Sequence, residues 1–384
     1  MKLMVTIYLL FFNLYFIGTS LAQSNFELNG YLQNMQTVWS AKQTDYLKFQ
    51  NSVGNRLNFN YLITNELSVK ASLRTIFDYG QFVSLIPNYK NITAKDNGYF
   101  NLTKIITSKT SYILYSNFDR LNIHYAKDNF EIQIGRQRVN LGISMVWTPN
   151  DIFNSSSFLN FDYVEKPGSD AIRFQYYTGI TSSVQLICKL NHRKKTTAAI
   201  VAKFNNWNYD FQILTGIMEN DYIAGGAWSG QIYDAGFTGE FTYFRNKENV
   251  NNSTGVFVAS IGGNYMFSNG LLFQTEFLFN SNGRTGKSMV PQNLFAIDYS
   301  AKNLSPSKYS FFEQLSYPIT PLIKSSVAAI INPNDKSFFI NPTLELSLNE
   351  NVYLLVAGQF FLGEDFTEWG DYGKFYYLRL KWNF

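Results

Sequence analysis

The chain is poor in the residues that metal, redox and disulfide chemistry needs. Its 384 residues include one cysteine, Cys188, and two histidines, His124 and His192. A single thiol excludes a disulfide scaffold and any multi-cysteine zinc or iron–sulfur site. Two distant histidines do not make a metal site. No metal and no other cofactor is expected. Charge is also scarce: 16% of residues are charged, and Lys+Arg 32 against Asp+Glu 28 leaves a formal +4. That balance is too even for nucleic-acid binding or a polybasic membrane tether. Beyond the N-terminus, no apolar run reaches the ~18–20 residues of a membrane-spanning helix.

What the chain does have is apolar and aromatic. Hydrophobic residues make up 46% and aromatics 17%, yet mean hydropathy is only −0.15. Such aromatic content excludes a disordered chain. The apolar residues must therefore be dispersed among polar ones.

The N-terminus reads as a targeting segment. Lys2 is followed by an apolar stretch from Met4 to Ile17, interrupted by Asn13, and then by Ser20-Leu21-Ala22. Small residues at those positions predict a secretory signal over 1–22, cut between Ala22 and Gln23, with a mature chain of 23–384. Cys188 is far from that site, so no lipid-bearing cysteine follows it.

From there the chain alternates with period two. Lys70, Ser72 and Arg74 interleave with Val69, Ala71 and Leu73. Arg120, Asn122 and His124 interleave with Leu121, Ile123 and Tyr125, and Thr238, Glu240 and Thr242 with Phe237, Phe241 and Tyr243. Residues two apart share a face of a strand, so each segment has one apolar and one polar face. The segments are long enough for the ~9–11 residues of a tilted strand crossing a bilayer. Short connectors, such as Thr64-Asn65-Glu66 and Ser268-Asn269-Gly270, alternate with longer ones such as Tyr79 to Asn117 and Val139 to Ser169. Short turns on one rim and long loops on the other are the pattern of an outer-membrane barrel. Tyr61, Tyr125, Tyr209, Phe267, Tyr317 and Tyr353 adjoin the short connectors, where a belt of amphipathic rings is expected.

Tyr376, Leu378, Leu380, Trp382 and Phe384 share one face of the last segment. This aromatic ending resembles the terminal signal by which Gram-negative outer-membrane barrels are recognised by the insertion machinery. The fold expected is all-β: a transmembrane, antiparallel, up-and-down barrel of about eighteen strands (about sixteen to eighteen) with no plug domain and a watery lumen. The location expected is the outer membrane, among its lipid and lipopolysaccharide.

Alternation assigns Arg56, Lys70, Arg74, Arg120, Arg173, Arg379 and Lys381 to the lumen, on early strands and the last one. Asp210, Glu240, Glu276 and Glu345 face them from later strands. A basic wall opposite an acidic wall would set up a transverse field across the pore. Strict alternation would turn Arg136 and Arg138 toward lipid. A bulge at Gly135 is expected to turn both inward instead, toward the mouth of the pore. After them, Trp147, Pro149, Asp151 and Phe153 belong to a loop too apolar for an exposed one. Thr148-Pro149 predicts a short helical turn there, and the loop is expected to narrow the mouth or to pack on neighbouring loops or a partner.

The segments Gly135 to Asn140, Trp147 to Asn154 and Pro167 to Ala171 resemble porin-like outer-membrane barrels of the Bacteroidota type. More distantly, they are similar to the alginate-export family of eighteen-stranded barrels. The resemblance implies basic pore-lining residues at Arg136 and Arg138. No enzyme is expected, because no nucleophile motif flanks His124. Three functions fit: passive diffusion of small hydrophilic or anionic solutes, export or display of a polysaccharide, and a scaffold whose long loops bind protein partners.

Overall fold

The computed structural model describes residues 25–42, 46–154, 158–159, 166–251, 254–287 and 299–384. The expected signal segment, 1–22, lies outside them. Among the described residues there are nineteen strands, all paired antiparallel, in one sheet. The first five are β1 (Phe26–Ser40), β2 (Leu47–Leu62), β3 (Leu67–Gly80), β4 (Thr103–Ser108) and β5 (Tyr112–Lys127). β6 (Phe130–Gln137), β7 (Ser169–Tyr177), β8 (Ser183–Leu190), β9 (Thr196–Asn206) and β10 (Tyr209–Met218) follow. Then come β11 (Asp221–Ile232), β12 (Ala235–Asn246), β13 (Val256–Met266), β14 (Leu272–Asn280) and β15 (Tyr309–Thr320). β16 (Ile323–Asn332), β17 (Ser337–Asn349), β18 (Val352–Leu362) and β19 (Lys374–Asn383) complete the order.

Eighteen of these strands form a closed wall, and β4 is an addition to it. The seam joins β1 to β19 from Tyr31↔Asn383 to Ser40↔Lys374. Gly30 and Phe384 extend it by exchanging both backbone hydrogen bonds, at 2.8 and 3.0 Å. Closure matters because every edge peptide group then has a partner. Among the described residues there is no plug domain.

Residues opposite each other across a ladder share a face. The outer face carries exposed apolar side chains such as Leu186, Ile200, Ile213 and Leu380. Tyr61, Tyr125, Tyr209 and Tyr317 lie on it beside the short turns. Tyr353 differs from the expected belt. It stands opposite Lys381, so it lies on the inner face at the short-turn rim.

The wall is interrupted at β6 and β7. β6 has 8 residues and β7 has 9, against 16 in β5. Past Gln137 the described residues, to Asn154, leave the wall, and the chain rejoins it at Ser169. An earlier segment fills the space above. β4 pairs with the upper half of β5, from Thr103↔Asn117 to Ser108↔Ile113, on the edge where β6 pairs lower down. Gly98 then forms an antiparallel bridge with Asn191, just past the end of β8. The connector between β3 and β5 is therefore structured. It holds two helical turns, α1 (Gln81–Leu85) and α2 (Tyr89–Thr93), and then this patch.

The expected bulge at Gly135 is absent. The register runs unbroken through Asn122↔Gly135↔Ala171 and Leu121↔Arg136↔Asp170. Arg136 therefore keeps the outward side that strict alternation gives it. The irregularity lies on β5 instead, where Asp119 is the extra residue between Ser72↔Arg120 and Leu73↔Phe118. Gly135 is constrained for another reason: its φ is +115°, and a Cβ there would lie 2.3 Å from the Leu121 carbonyl oxygen. A Gly135→Val variant is expected to lose about 1–3 kcal/mol of stability, read as a lower urea midpoint for loss of the folded barrel in detergent.

Candidate functional site

The described residues Val139 to Asn154, with Phe158 and Leu159, turn into the barrel. Trp147, Pro149, Asp151 and Phe153, the residues expected in a constriction, are all buried there. Trp147 and Phe153 belong to one apolar cluster with inward side chains of the wall, including Ile187, Val201, Leu278, Phe312 and Phe339. The Thr148–Asp151 stretch forms a single turn, closed by the Asp151 N–H on the Thr148 carbonyl at 3.0 Å, rather than a helix.

A peptide segment inside an enclosed space must find partners for its N–H and C=O groups. The wall supplies them. Glu276 Oε2 accepts from the N–H groups of Met145 and Val146, at 3.0 and 2.9 Å, and Oε1 accepts from Trp147 N–H at 2.8 Å. Ser260 Oγ donates to the same carboxylate at 2.7 Å. Glu240 Oε2 accepts from Ile143 N–H at 3.1 Å. Gln212 donates to the Leu141 carbonyl at 2.8 Å, Thr242 to that of Pro149 at 2.9 Å and Gln359 to that of Leu159 at 3.1 Å. The Lys189 ammonium and the Ser169 hydroxyl both meet the Phe153 carbonyl. Groups from β7, β8, β10, β12, β14 and β18 thus hold one loop.

The acidic wall expected from alternation is therefore half engaged. Glu240 and Glu276 are 0% and 2% exposed and hold the loop backbone. Asp210 and Glu345 are exposed on the inner face near the short-turn rim, where Asn205 donates to Asp210 at 2.8 Å and Lys324 stands opposite Glu345. The basic residues Arg56, Lys70, Arg74, Arg120, Arg173, Arg379 and Lys381 share the inner face, on β2, β3, β5, β7 and β19, by register. Two have acidic partners the alternation reading did not assign. Arg56 pairs with Asp119 on the bulge, and Arg173 with Glu131. Lys381 lies 4.2 Å from the centre of the Tyr31 ring.

Arg136 departs most from expectation. It is 5% exposed and lies under the patch above β6. Asp170 takes its Nε and Nη2 at 2.7 and 2.9 Å, Asp96 takes Nη1 at 2.8 Å, and the Phe100 carbonyl takes Nη2 at 2.6 Å. One guanidinium therefore ties β6, β7 and the 96–100 segment together. Such bidentate, charge-assisted contacts are among the strongest polar ones. Gly98 must be glycine for this packing, since a Cβ there would lie 2.0 Å from Arg136 Nη2. Arg138, just beyond β6, is exposed.

Three loop carboxyls are tuned by these surroundings. Burial raises Asp96, but the Arg136 hydrogen bond and the Gly98 and Leu102 amides outweigh it and hold the group below its ordinary range. Burial pushes Asp151 up, against the pull of Lys166, Arg138 and Lys189. Burial pushes Glu368 up to about 7, although Ser305, Ser307 and Asn332 all donate to it, at 3.1, 2.9 and 3.0 Å. Glu368 belongs to the loop between β18 and β19 and anchors it to residues at the ends of β15 and β16.

No protein-family model and no curated protein matches this chain. Solved structures do. OccAB4 of Acinetobacter baumannii superposes with a TM-score of 0.60 at 10% identity, covering 94% of this chain and 99% of that one. The outer membrane protein OprD of Pseudomonas aeruginosa gives 0.59 at 8% identity, covering 94% and 95%. OccAB1 of A. baumannii gives 0.57 at 11% identity, covering 94% and 97%. At such identities the likeness is one of fold: this chain has the closed barrel of those proteins over nearly its whole length.

Two outcomes are expected. Glu276→Ala leaves three loop amides without their acceptor, and the two buried ones, Val146 and Trp147, cost about 1–3 kcal/mol each. Limited proteolysis should then cut within 143–147, whereas Glu345→Ala should leave that segment protected. Glu368 carries a folded-state pKa above its unfolded value of 4.5. Its contribution is therefore complete below about pH 4.5 and declines as pH rises through about 7. Hydrogen-exchange protection of the Thr367 and Trp369 amides, corrected for intrinsic rate, should fall over that window and stay flat in Glu368→Gln.

Proposed function

We propose that the chain is a channel for small hydrophilic solutes, anions favoured, in the outer membrane of a Gram-negative cell. An apolar outer face, aromatic residues at the short-turn rim and a polar inner face suit a barrel whose solvent is lipid outside and water within. On this reading the chain enters the membrane through the insertion machinery, by way of the Tyr376 to Phe384 face. Lipid and lipopolysaccharide then surround it. The Bacteroidota-type and alginate-export resemblances belong to the same proposal and rest on the segments around Arg136, Trp147 and Pro167.

The observation that carries it is a pair of adjoining cavities beside the infolded loop. The first, about 510 Å³, opens among Lys95, Lys189, Arg193, Asp221 and Lys302 at the long-loop rim. The second, about 290 Å³, reaches Arg74, Asn117 and Asp119 on the inner face of β3 and β5. They share Lys95, Asn97, Gly98, Pro167 and Gly168. A polar route thus starts at the rim and descends beside the basic part of the wall, away from Glu240 and Glu276. The loop would set its width; Lys95 and Arg74 would favour negative solutes, against the opposing carboxylates of Asp96 and Asp119 in the same lining.

One observation favours a second reading, a scaffold that transports nothing. The apolar cluster around Trp147 continues through Leu278, Phe312 and Phe339 across the inside of the barrel. A barrel filled in that way could serve to hold its long loops for a protein partner.

Planar-bilayer recording separates the two. A channel gives discrete conductance with a reversal potential favouring anions, and Lys95→Glu with Arg74→Glu should move that potential toward cations. Arg136→Glu should instead destabilise the barrel without this graded shift, because its role is to hold the wall. Silence in the bilayer from correctly folded protein would favour the scaffold.

A further inference from the structure

The outer face is apolar around most of the wall, but one sector departs from this. On β2, Asn51 and Asn55 point outward between Phe49 and Leu57. On β1, Asn34 and Gln36 do so between Leu32 and Val38. The register places Gln36 directly opposite Asn51 and Asn34 opposite Val53. The sector continues with Thr75 on β3, opposite Asn55, and Ser116 on β5, opposite Thr75. Apolar residues flank these groups above and below on the same face, so they lie within the apolar band and not beyond it.

Other outward polar groups in the band find partners close by. Thr275 donates to Glu313 at 2.9 Å, and Thr75 and Ser116 share a hydrogen bond of 2.8 Å. Asn55 reaches the Tyr31 carbonyl at 3.3 Å. The amides of Asn34, Gln36 and Asn51 make no such bond among the described residues. Hydrocarbon offers them nothing, and unmet amides there are strongly disfavoured.

We infer that a second copy of this chain packs on this sector, with a two-fold axis beside the β1–β2 pair. The inference rests on the membrane reading above. A carboxamide both donates and accepts, so a patch of amides complements itself when the same surface is presented twice, as a two-fold interface requires. The four amides carry no charge, so the patch does not call for a partner of opposite sign.

The test uses the chain refolded into lipid vesicles, with Cys188→Ala as background. Asn51→Cys should give a covalent dimer with a short bifunctional thiol reagent. Ile213→Cys on β10, across the barrel, should not. Replacing Asn34, Gln36, Asn51 and Asn55 together by Leu should halve the particle mass measured in mild detergent and preserve heat-dependent gel mobility. Wild-type protein that enters vesicles but stays monomeric would overturn the inference. So would equal cross-linking at positions 51 and 213, or a cross-link in whole membranes only to a different protein. A chain that does not enter vesicles overturns the membrane reading as well.

Discussion

Peptide groups that enter an enclosed space must be met there, and the centre of this barrel is organised by that requirement. The described part of the loop after β6, Val139 to Asn154 with Phe158 and Leu159, leaves the ladder that would have satisfied its backbone. Inside, its N–H groups are taken by Glu240 and Glu276, and its carbonyls by Gln212, Thr242, Gln359, Lys189 and Ser169. A carboxylate suits three successive N–H groups because it offers two oxygens and accepts at both. The apolar side chains of the same segment then meet Ile187, Val201 and Leu278, so burial and polar satisfaction act at one place.

Sending that segment inward opens the wall, and a second device closes it. The patch from Gly98 to Ser108 lies above the shortened β6 and β7, joined to β5 on one side and to Asn191 on the other. Arg136 is the tie. Its outward direction would be costly within lipid, but at the strand end it is enclosed by Asp96, Asp170 and the Phe100 carbonyl. The infolded loop and the overlying patch are complementary parts of one rearrangement.

The strands were legible because a period of two separates their faces in plain view, as at Lys70, Ser72 and Arg74. Tyr353 was misplaced because both parities of β18 are apolar there, Leu354 on one and Leu355 on the other. Only pairing with Lys381 decides between them. Alternation alone put Arg136 outward, as the structure does. The expectation of a bulge came from the cost of a lone arginine, while its partners, 40 residues before and 34 after, were not visible as partners. For Glu240 and Glu276 the face was readable and the role was not. The amides they receive lie 97 to 131 residues away, and no local pattern marks a carboxylate as an acceptor for a distant loop.

The order of the chain has a consequence for how the molecule is assembled. The infolded segment is made before all of the strands named as holding it: Trp147 precedes Glu276 by 129 residues, and Leu159 precedes Gln359 by 200. Contacts of such long range are slow to form, since the intervening chain must first be gathered. Until β18 is in place the segment lacks its last anchor, so its full burial is coupled to closure of the cylinder.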